Sequence, residues 1–236
     1  MKFRFCSTQP LASIGIAVFA LCLATSLEAQ QNLVPTQPDR PWELVASLGG
    51  PLGGPSEGVE QAMRASGWDH DSDLFAQQHP SSSSLGRISL AISLRRGLGP
   101  HSEVEMMVSH SATGSTRGEH GFNELLTLYH SLTTIGPILS YRMGSLHVGA
   151  GPAAGHIVVH SDEGEENKGK VTFGAVADMG LTFPRRSRLF LESRGQYRWI
   201  RGTEVGPFTS DDGSILRAFE IDMSHALVTV GLGARF

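Results

Sequence analysis

The last twelve residues of the chain, HALVTVGLGARF (225–236), alternate between apolar side chains and small or polar ones up to the final residue. Val228, Val230, Leu232 and Phe236 share one parity, and a period of two is that of a β-strand. Chain ends of soluble proteins are usually poorly ordered and polar. A terminal strand that finishes on a phenylalanine therefore raises the question of what each of its faces meets.

Seven earlier segments show the same alternation, which predicts eight strands in all. The eight segments are WELVASLGG (42–50), GRISLAISLRR (86–96), SEVEMMVSH (102–110), residues 129–141, LHVGAGPAAGHIVV (146–159), KVTFGAVADMGLTF (170–183), RLFLESRGQYRW (188–199) and residues 225–236. No stretch of the sequence after residue 29 is apolar for long enough to form a transmembrane helix.

The connections between these segments alternate in length. Three are turn-sized and rich in Gly, Pro and Ser: GLGPH (97–101), RMGS (142–145) and PRRS (184–187). Four are longer and cover about 50–85, 111–128, 160–169 and 201–221. Short turns at one end, long loops at the other and both termini at the short end are typical of bacterial outer-membrane barrels. The sequence thus predicts an all-β fold, an eight-stranded antiparallel transmembrane β-barrel with short periplasmic turns and long extracellular loops.

The start of the chain predicts export. Lys2 and Arg4 precede an apolar run at 11–23, and small Ala29 offers a cleavage site. We expect a cleaved signal peptide at 1–29, a periplasmic segment at 30–41 and a barrel domain at 42–236; an uncleaved N-terminal helix is the alternative. Both cysteines, Cys6 and Cys22, lie in the signal peptide, so no disulfide is expected in the mature chain.

Aromatic side chains near the ends of the apolar parity predict two girdles at the membrane interfaces, because amphipathic rings favour the headgroup level. The girdle residues are Trp42, Tyr129, Tyr141, Phe173, Phe183, Tyr197 and Trp199.

The opposite parity carries charges that would point into the lumen. They are Glu43, Arg87, Arg95, Glu103, Glu105, Asp178, Glu192, Arg194, Arg198 and Arg235. An eight-stranded barrel is only wide enough for side chains to fill it, and unpaired buried ions cost several kcal/mol. Five acids against five bases therefore favour an internal salt-bridge network over an ion-selective pore, although some of these groups could be hydrated at the rims.

Two local details of the strands are also predicted. Inward glycines should leave room for the long arginine side chains. Pro137 and Pro152 each remove a ladder donor inside a strand, which predicts a shared bulge or a strand boundary closer to the RMGS turn.

The signal peptide, the eight alternating segments, the rhythm of connections and the terminal VTVGLGARF resemble the small outer-membrane β-barrel proteins of the OmpA and OmpX type. The resemblance covers residues 42–236. It implies localisation in the cell outer membrane, contact with outer-membrane lipid and lipopolysaccharide, and recognition by the barrel-assembly machinery. The residues that would form the assembly signal are Val228, Val230, Leu232 and Phe236. A monomer is expected.

The sequence offers little that indicates chemistry. His130 with Ser131 and Ser224 with His225 are adjacent residues, and adjacent strand residues point to opposite faces. Neither pair is therefore a catalytic dyad. The acidic stretch SDEGEENKG (161–169) lacks the spacing of a calcium loop and reads better as a solvated loop. No catalytic residue, cofactor or metal site is predicted, and the unclustered basic residues argue against a nucleic-acid partner.

Three functions remain open at this stage. The leading interpretation is a non-enzymatic barrel with a structural or surface-interaction role through its extracellular loops. The alternatives are a narrow passive pore for small or apolar solutes and a lipid-modifying outer-membrane enzyme. The first long loop holds SEGVEQAMRASGW (56–68), which predicts a short helix beginning at Ser56 and ending at Gly67. Its position relative to the barrel mouth is not predicted.

Overall fold

A computed structural model describes residues 42–52, 56–68, 87–120, 124–161, 167–184, 187–210 and 213–236, without the side chains of 56, 57, 119, 120, 124 and 125. The predicted signal peptide, the segment 30–41 and the acids of the third long loop at 162–166 lie outside the described residues. Within the described ranges, no helix combines the length and the apolar character needed to cross a membrane.

Eight strands close into one antiparallel barrel, which confirms the predicted fold class. Around the ring they are β1 (Trp42–Leu52), β2 (Ile88–Gly97), β3 (Ser102–His120), β4 (Glu124–Met143), β5 (Leu146–Ser161), β6 (Asn167–Phe183), β7 (Leu189–Ile200) and β12 (His225–Arg235). The first long loop contains α1 (Ser56–Ala65). The last contains β8 (Thr203–Val205), β9 (Phe208–Thr209), β10 (Ile215–Leu216) and β11 (Phe219–Ile221), where β8 pairs with β11 and β9 with β10.

The barrel has two distinct ends. The turn end carries the three short connections and the two terminal strands' free ends, and the loop end carries α1 and the β8–β11 hairpin. Strands β3, β4, β5 and β6 run 19, 20, 16 and 17 residues, against 10 to 12 for β1, β2, β7 and β12. Since a strand rises about 3.3 Å per residue, these four extend well beyond the others at the loop end.

The ring closes where the first and last strands meet. The pairing runs from Glu43 opposite Arg235 to Leu52 opposite Ala226. Beyond it, the Trp42 amide donates to the Phe236 carbonyl at 3.1 Å and the Phe236 amide to the Trp42 carbonyl at 3.0 Å. The terminal residue is therefore part of the closure, and no strand edge is left unpaired there.

Alternation along each strand separates an apolar outer face from the lumen. Val230 and Leu232 are 58% and 68% exposed, whereas Thr229 between Val228 and Val230 is buried at 2%. Large exposed apolar side chains recur at outward positions of all eight strands. Such a band would be costly in water but suits a hydrocarbon environment.

The two prolines do not produce the predicted bulge. Ile135 pairs with Ala154 and Leu139 with Ala150, a constant register that sets Pro137 opposite Pro152. Because neither proline has an N–H, facing each other leaves no donor without an acceptor. The alternative, a strand boundary closer to the RMGS turn, agrees with β4, which ends at Met143 and not at residue 141, although both prolines remain inside their strands.

Glycines beside the prolines allow this close pairing. A Cβ at Gly136 would collide with the Pro152 carbonyl, and one at Gly151 with the Pro137 carbonyl. The irregularity in the barrel lies instead in β3, where the register shifts between Ala112 and Gly114 and Gly114 has a φ of 129°.

Candidate functional site

The turn-end half of the lumen is filled by a cluster of ion pairs centred on Arg95. Its side chain is 1% exposed and reaches Glu192 at 2.9 Å and both Glu43 and Glu105 at 3.3 Å. Its Nε lies 3.9 Å from Glu103. These partners come from three other strands, so Arg95 ties together opposite walls of the barrel.

Arg194 forms a second centre one step further into the lumen. Its guanidinium lies 2.7 Å from Glu105, 2.7 Å from Glu192 and 3.5 Å from Asp178. Asp178 is also 3.6 Å from His147, and both side chains are fully buried. Glu105 and Glu192 thus each bridge Arg95 and Arg194, which makes the cluster a connected network.

Arg142 and Arg235 complete the cluster near the turn end. Arg142 lies 2.8 Å from Glu103 and 3.0 Å from Glu43, and Arg235 lies 2.7 Å from Glu43. The Arg235 guanidinium also stacks 4.3 Å from the ring of Phe190. Glu43, the first inward residue of β1, therefore joins the first and last strands through side chains as well as through the backbone.

We call this network the charge layer. Its members are Glu43, Arg95, Glu103, Glu105, Arg142, His147, Asp178, Glu192, Arg194 and Arg235. The layer brings together eight of the ten predicted lumen charges and adds two residues. Five carboxylates face four guanidiniums and one imidazole, so the sequence count of five bases did not identify the right set.

Arg142 was missed because residues 142–145 were assigned to a turn, whereas His147 lay in the predicted segment 146–159 but histidine was left out of the set of lumen charges. The strands actually reach Met143 and begin again at Leu146, which places Arg142 and His147 on the inner face. Extending the alternation of residues 129–141 by one step would have placed Arg142 inward.

Arg198 and Arg87 lie apart from the charge layer. Arg198 is fully buried and points across the lumen, donating to Ser111 on β3 at 3.0 Å and to Gln196 at 3.1 Å. Within the described ranges, no carboxylate lies at ion-pair distance from Arg198. Arg87 precedes β2 at the loop end, whereas Arg95 lies near that strand's turn end.

Rings, not arginines, occupy the space beside two inward glycines. A Cβ at Gly233 would collide with the ring of Phe190, and one at Gly180 with the ring of His147. The glycines therefore hold flat side chains against the barrel wall, a use that the predicted role of making room for arginines did not anticipate.

The loop-end half of the lumen is filled by apolar side chains, which we call the apolar layer. From the first long loop it takes Val59 and Met63 of α1 and Trp68, all at most 1% exposed. The wall contributes Leu126, Leu128 and Leu132 from β4, Ile157 and Val159 from β5 and Ile200 from β7. Val205, Phe208, Leu216, Phe219, Ile221 and Met223 come from the last long loop. Helix α1 therefore packs into the barrel mouth rather than standing above it.

The aromatic residues predicted for the girdles are all exposed on the outer face. Trp42, Tyr141 and Phe183 lie at the turn end. Phe173, Tyr197 and Trp199 lie towards the loop end of β6 and β7. Tyr129 lies farther out, on the part of β4 that extends beyond the shorter strands.

The assembly residues predicted in the last strand line its outer face. Val228, Val230, Leu232 and Phe236 are 43%, 58%, 68% and 70% exposed. Their side chains therefore belong to the apolar outer face of the barrel.

Neither serine–histidine pair forms a catalytic arrangement. His130 points inward and its Nδ1 lies 2.7 Å from the hydroxyl of Thr113, while Ser131 lies on the opposite face. The Ser224 hydroxyl donates to the Ile200 carbonyl at 3.2 Å. His225 instead contacts the Met223 carbonyl at 2.7 Å. In the described part of the chain, no group of three or more His, Cys, Asp or Glu side chains is placed to hold a metal ion.

No protein-family model matches the sequence, and no curated protein matches it. Solved structures match by shape. The major outer membrane protein of Thermus thermophilus aligns with a TM-score of 0.53 at 10% identity, covering 84% of this chain and 99% of that one. The attachment invasion locus protein Ail of Yersinia pestis aligns with a TM-score of 0.44 at 12% identity, covering 85% and 100%. Neisserial surface protein A aligns at 0.41 and 11% identity, covering 83% and 97%. The predicted localisation in the cell outer membrane agrees with this fold. The chain therefore has the closed β-barrel fold of an outer-membrane protein of known structure.

Proposed function

We propose that the protein is a non-enzymatic, non-conducting monomeric barrel of the outer membrane, and that it acts through the folded structure at its extracellular, loop end. The observation that supports this most strongly is the filling of the lumen by two successive layers. The charge layer spans the periplasmic half and the apolar layer spans the extracellular half.

The two layers oppose passage of a solute in different ways. An ion entering from the periplasm would have to displace carboxylates held at 2.7–3.3 Å from buried guanidiniums. Removing one partner from a buried ion pair costs about 3–5 kcal/mol. An ion that passed would then meet a mouth packed mainly with apolar side chains, which cannot replace its water.

The extracellular end is built as a fixed surface. Helix α1 and the β8–β11 hairpin are anchored in one apolar cluster together with the walls of β4, β5 and β7. A surface held in place before binding pays less conformational entropy when a partner docks. This favours a surface-interaction role over a purely structural one.

The test is planar-bilayer recording with the purified, refolded barrel, its folding verified by heat-modifiable gel mobility. We expect no conductance steps from the wild-type protein at moderate voltage and salt. Reproducible single-channel steps would establish the pore alternative and overturn the proposal.

A parallel test addresses the enzymatic alternative. Cells that carry the triple variant His130→Ala, Ser131→Ala, His225→Ala are expected to show the same lipid A profile as cells with the wild-type barrel, because neither histidine contacts a serine. A changed profile with normal barrel levels would contradict the non-enzymatic assignment.

Assembly into the membrane is expected to depend on the terminal side chain. Phe236→Ala should lower the heat-modifiable fraction in the outer membrane several-fold, because the backbone pairing with Trp42 is kept while the exposed ring is lost. Leu189→Ala is the matched control, since Leu189 is also at the turn end and also 70% exposed. Equal losses in both variants would mean that apolar area, and not recognition of the terminal residue, is what matters.

A further inference from the structure

Arg198 lies inside the lumen where the charge layer and the apolar layer meet. It occupies the inner face of β7, between Arg194 of the charge layer and Ile200 of the apolar layer. Its side chain is 0% exposed. A guanidinium stays protonated in proteins and carries five N–H donors. Arg198 therefore brings a permanent positive charge into the interior of the barrel.

The hydrogen-bond partners of this guanidinium are neutral. One terminal nitrogen donates to the Ser111 hydroxyl at 3.0 Å, and the other donates to the side-chain oxygen of Gln196 at 3.1 Å. The Ser111 hydroxyl lies 2.8 Å from the hydroxyl of Ser89, and both serines are fully buried. The Arg198 Nε is buried and has no hydrogen-bond partner among the described residues. Neutral groups satisfy individual donors, but they do not balance the charge.

The other groups around Arg198 do not balance the charge either. His225 lies opposite Arg198 in register, and its Nδ1 donates to the Met223 carbonyl at 2.7 Å. The Arg194 guanidinium has the same sign and repels that of Arg198. Each carboxylate of the charge layer is already held by a guanidinium of that layer. Since an uncompensated buried charge is strongly unfavourable, Arg198 calls for a counter-ion that the described part of the chain does not supply.

We propose that the lumen binds one small monovalent anion, such as chloride, at the guanidinium of Arg198. Hydrogen bonds from an ionised donor to an anion are stronger than those between neutral groups. The hydroxyl hydrogens of Ser89 and Ser111 can rotate to suit a neighbouring acceptor. An eight-stranded barrel leaves room for side chains or for one small ligand. A single small charge therefore fits both the space and the one cation to be neutralised.

The anion of this site is a bound component of the fold and not a transported solute. The charge layer lies on its periplasmic side and the apolar layer on its extracellular side, so it is enclosed when the barrel folds. The site therefore goes beyond the proposed function, and it predicts that the stability of the barrel depends on the anion present during folding.

The test is urea unfolding of the barrel in lipid vesicles, with chloride replacing the much larger anion gluconate at constant ionic strength. Above the dissociation constant, the folding equilibrium constant of the wild type should rise about tenfold for each tenfold rise in chloride, because the ion binds only the folded state. Arg198→Met should abolish this dependence. Arg201→Met is the matched control, since Arg201 is exposed just beyond the end of the same strand, and it should respond to chloride as the wild type does.

A second measurement needs no variant to fold. Crystals of the wild-type barrel grown in bromide should show anomalous scattering from one bromide beside the Arg198 guanidinium. The site would be overturned by a wild type that ignores chloride, by equal chloride responses in all three proteins, or by bromide peaks confined to the outer surface. None of these results depends on bilayer conductance, so this site and the closed lumen stand or fail separately.

Discussion

Replacing Arg95 by Met is expected to lower the free energy of unfolding of the barrel by about 3–5 kcal/mol, the usual effect of removing one partner from buried ion pairs. Arg95 lies within 3.3 Å of Glu43, Glu105 and Glu192. Without the guanidinium, those carboxylates face one another in a lumen that their neighbours seal from water. Urea unfolding in lipid vesicles, followed by heat-modifiable mobility, measures the difference.

The adjacent residue supplies the matched control. Arg96 points to the outer face, with its guanidinium 5.0 Å from the ring of Trp42. Arg96→Met removes the same side chain from the same strand, and its expected cost is at most about 1 kcal/mol, the scale of an exposed cation–π contact. Equal losses from both variants would mean that the charge layer adds nothing beyond a surface arginine.

A double variant tests whether the loss comes from the carboxylates left behind. Glu105→Gln removes one of the charges that Arg95 compensates, although it also removes a partner of Arg194. The effects of mutating contacting residues are not additive. The double variant Arg95→Met/Glu105→Gln is therefore expected to be more stable than the sum of the two single losses indicates.

The alternation of apolar and polar residues was sufficient to predict the eight-stranded barrel, its two faces and most of the charge layer. The reason is that a strand period of two assigns every residue to the outer or the inner face. It was insufficient where strand length decided the outcome. Assigning 142–145 to a turn hid Arg142, and stopping the third segment at His110 hid the long extension of β3. Strand ends depend on partners in neighbouring strands, which periodicity within one segment does not contain.

The prolines show a different limit. A single proline in a strand costs a ladder bond, and from one strand alone a bulge is the reasonable expectation. Only the register between β4 and β5 reveals that Pro137 and Pro152 face each other. Each proline therefore lacks an N–H at the position where its partner lacks one too, and no donor is left without an acceptor. The pairing that makes the two prolines tolerable in the sheet is a property of both segments together and cannot be seen in either segment alone.

The apolar layer was the least predictable feature. Leu126, Leu128 and Leu132 face inward, yet an outward parity of the same strand carries Tyr129 and Ile135, so β4 presents apolar groups on both faces. An apolar inner face is stable only when other apolar side chains pack against it. That partner, α1, comes from a distant loop whose docking position no local pattern specifies.

Replacing Met63 by Asp is expected to release α1 from the barrel mouth. Met63 is fully buried in the apolar layer, and a carboxylate there would have no partner among the apolar side chains around it. Burying an unpaired charge costs several kcal/mol, more than a ten-residue helix gains from packing one short apolar stripe. Limited trypsin digestion of the folded barrel should then cleave after Arg64 at least about tenfold faster, as expected when the local opening free energy falls by about 1.4 kcal/mol or more. Gln61→Asp, on the exposed side of the same helix, is the control and should digest as the wild type does.

The same variant also separates the two layers functionally. The charge layer lies in the other half of the lumen and contains no residue of α1. A barrel with α1 released should therefore still show no conductance in a planar bilayer, because the ion pairs of Arg95 and Arg194 continue to span the lumen. If Met63→Asp alone opened a channel, the apolar layer would be the only barrier, and the ion pairs would have to be understood as stabilising the wall rather than closing the lumen.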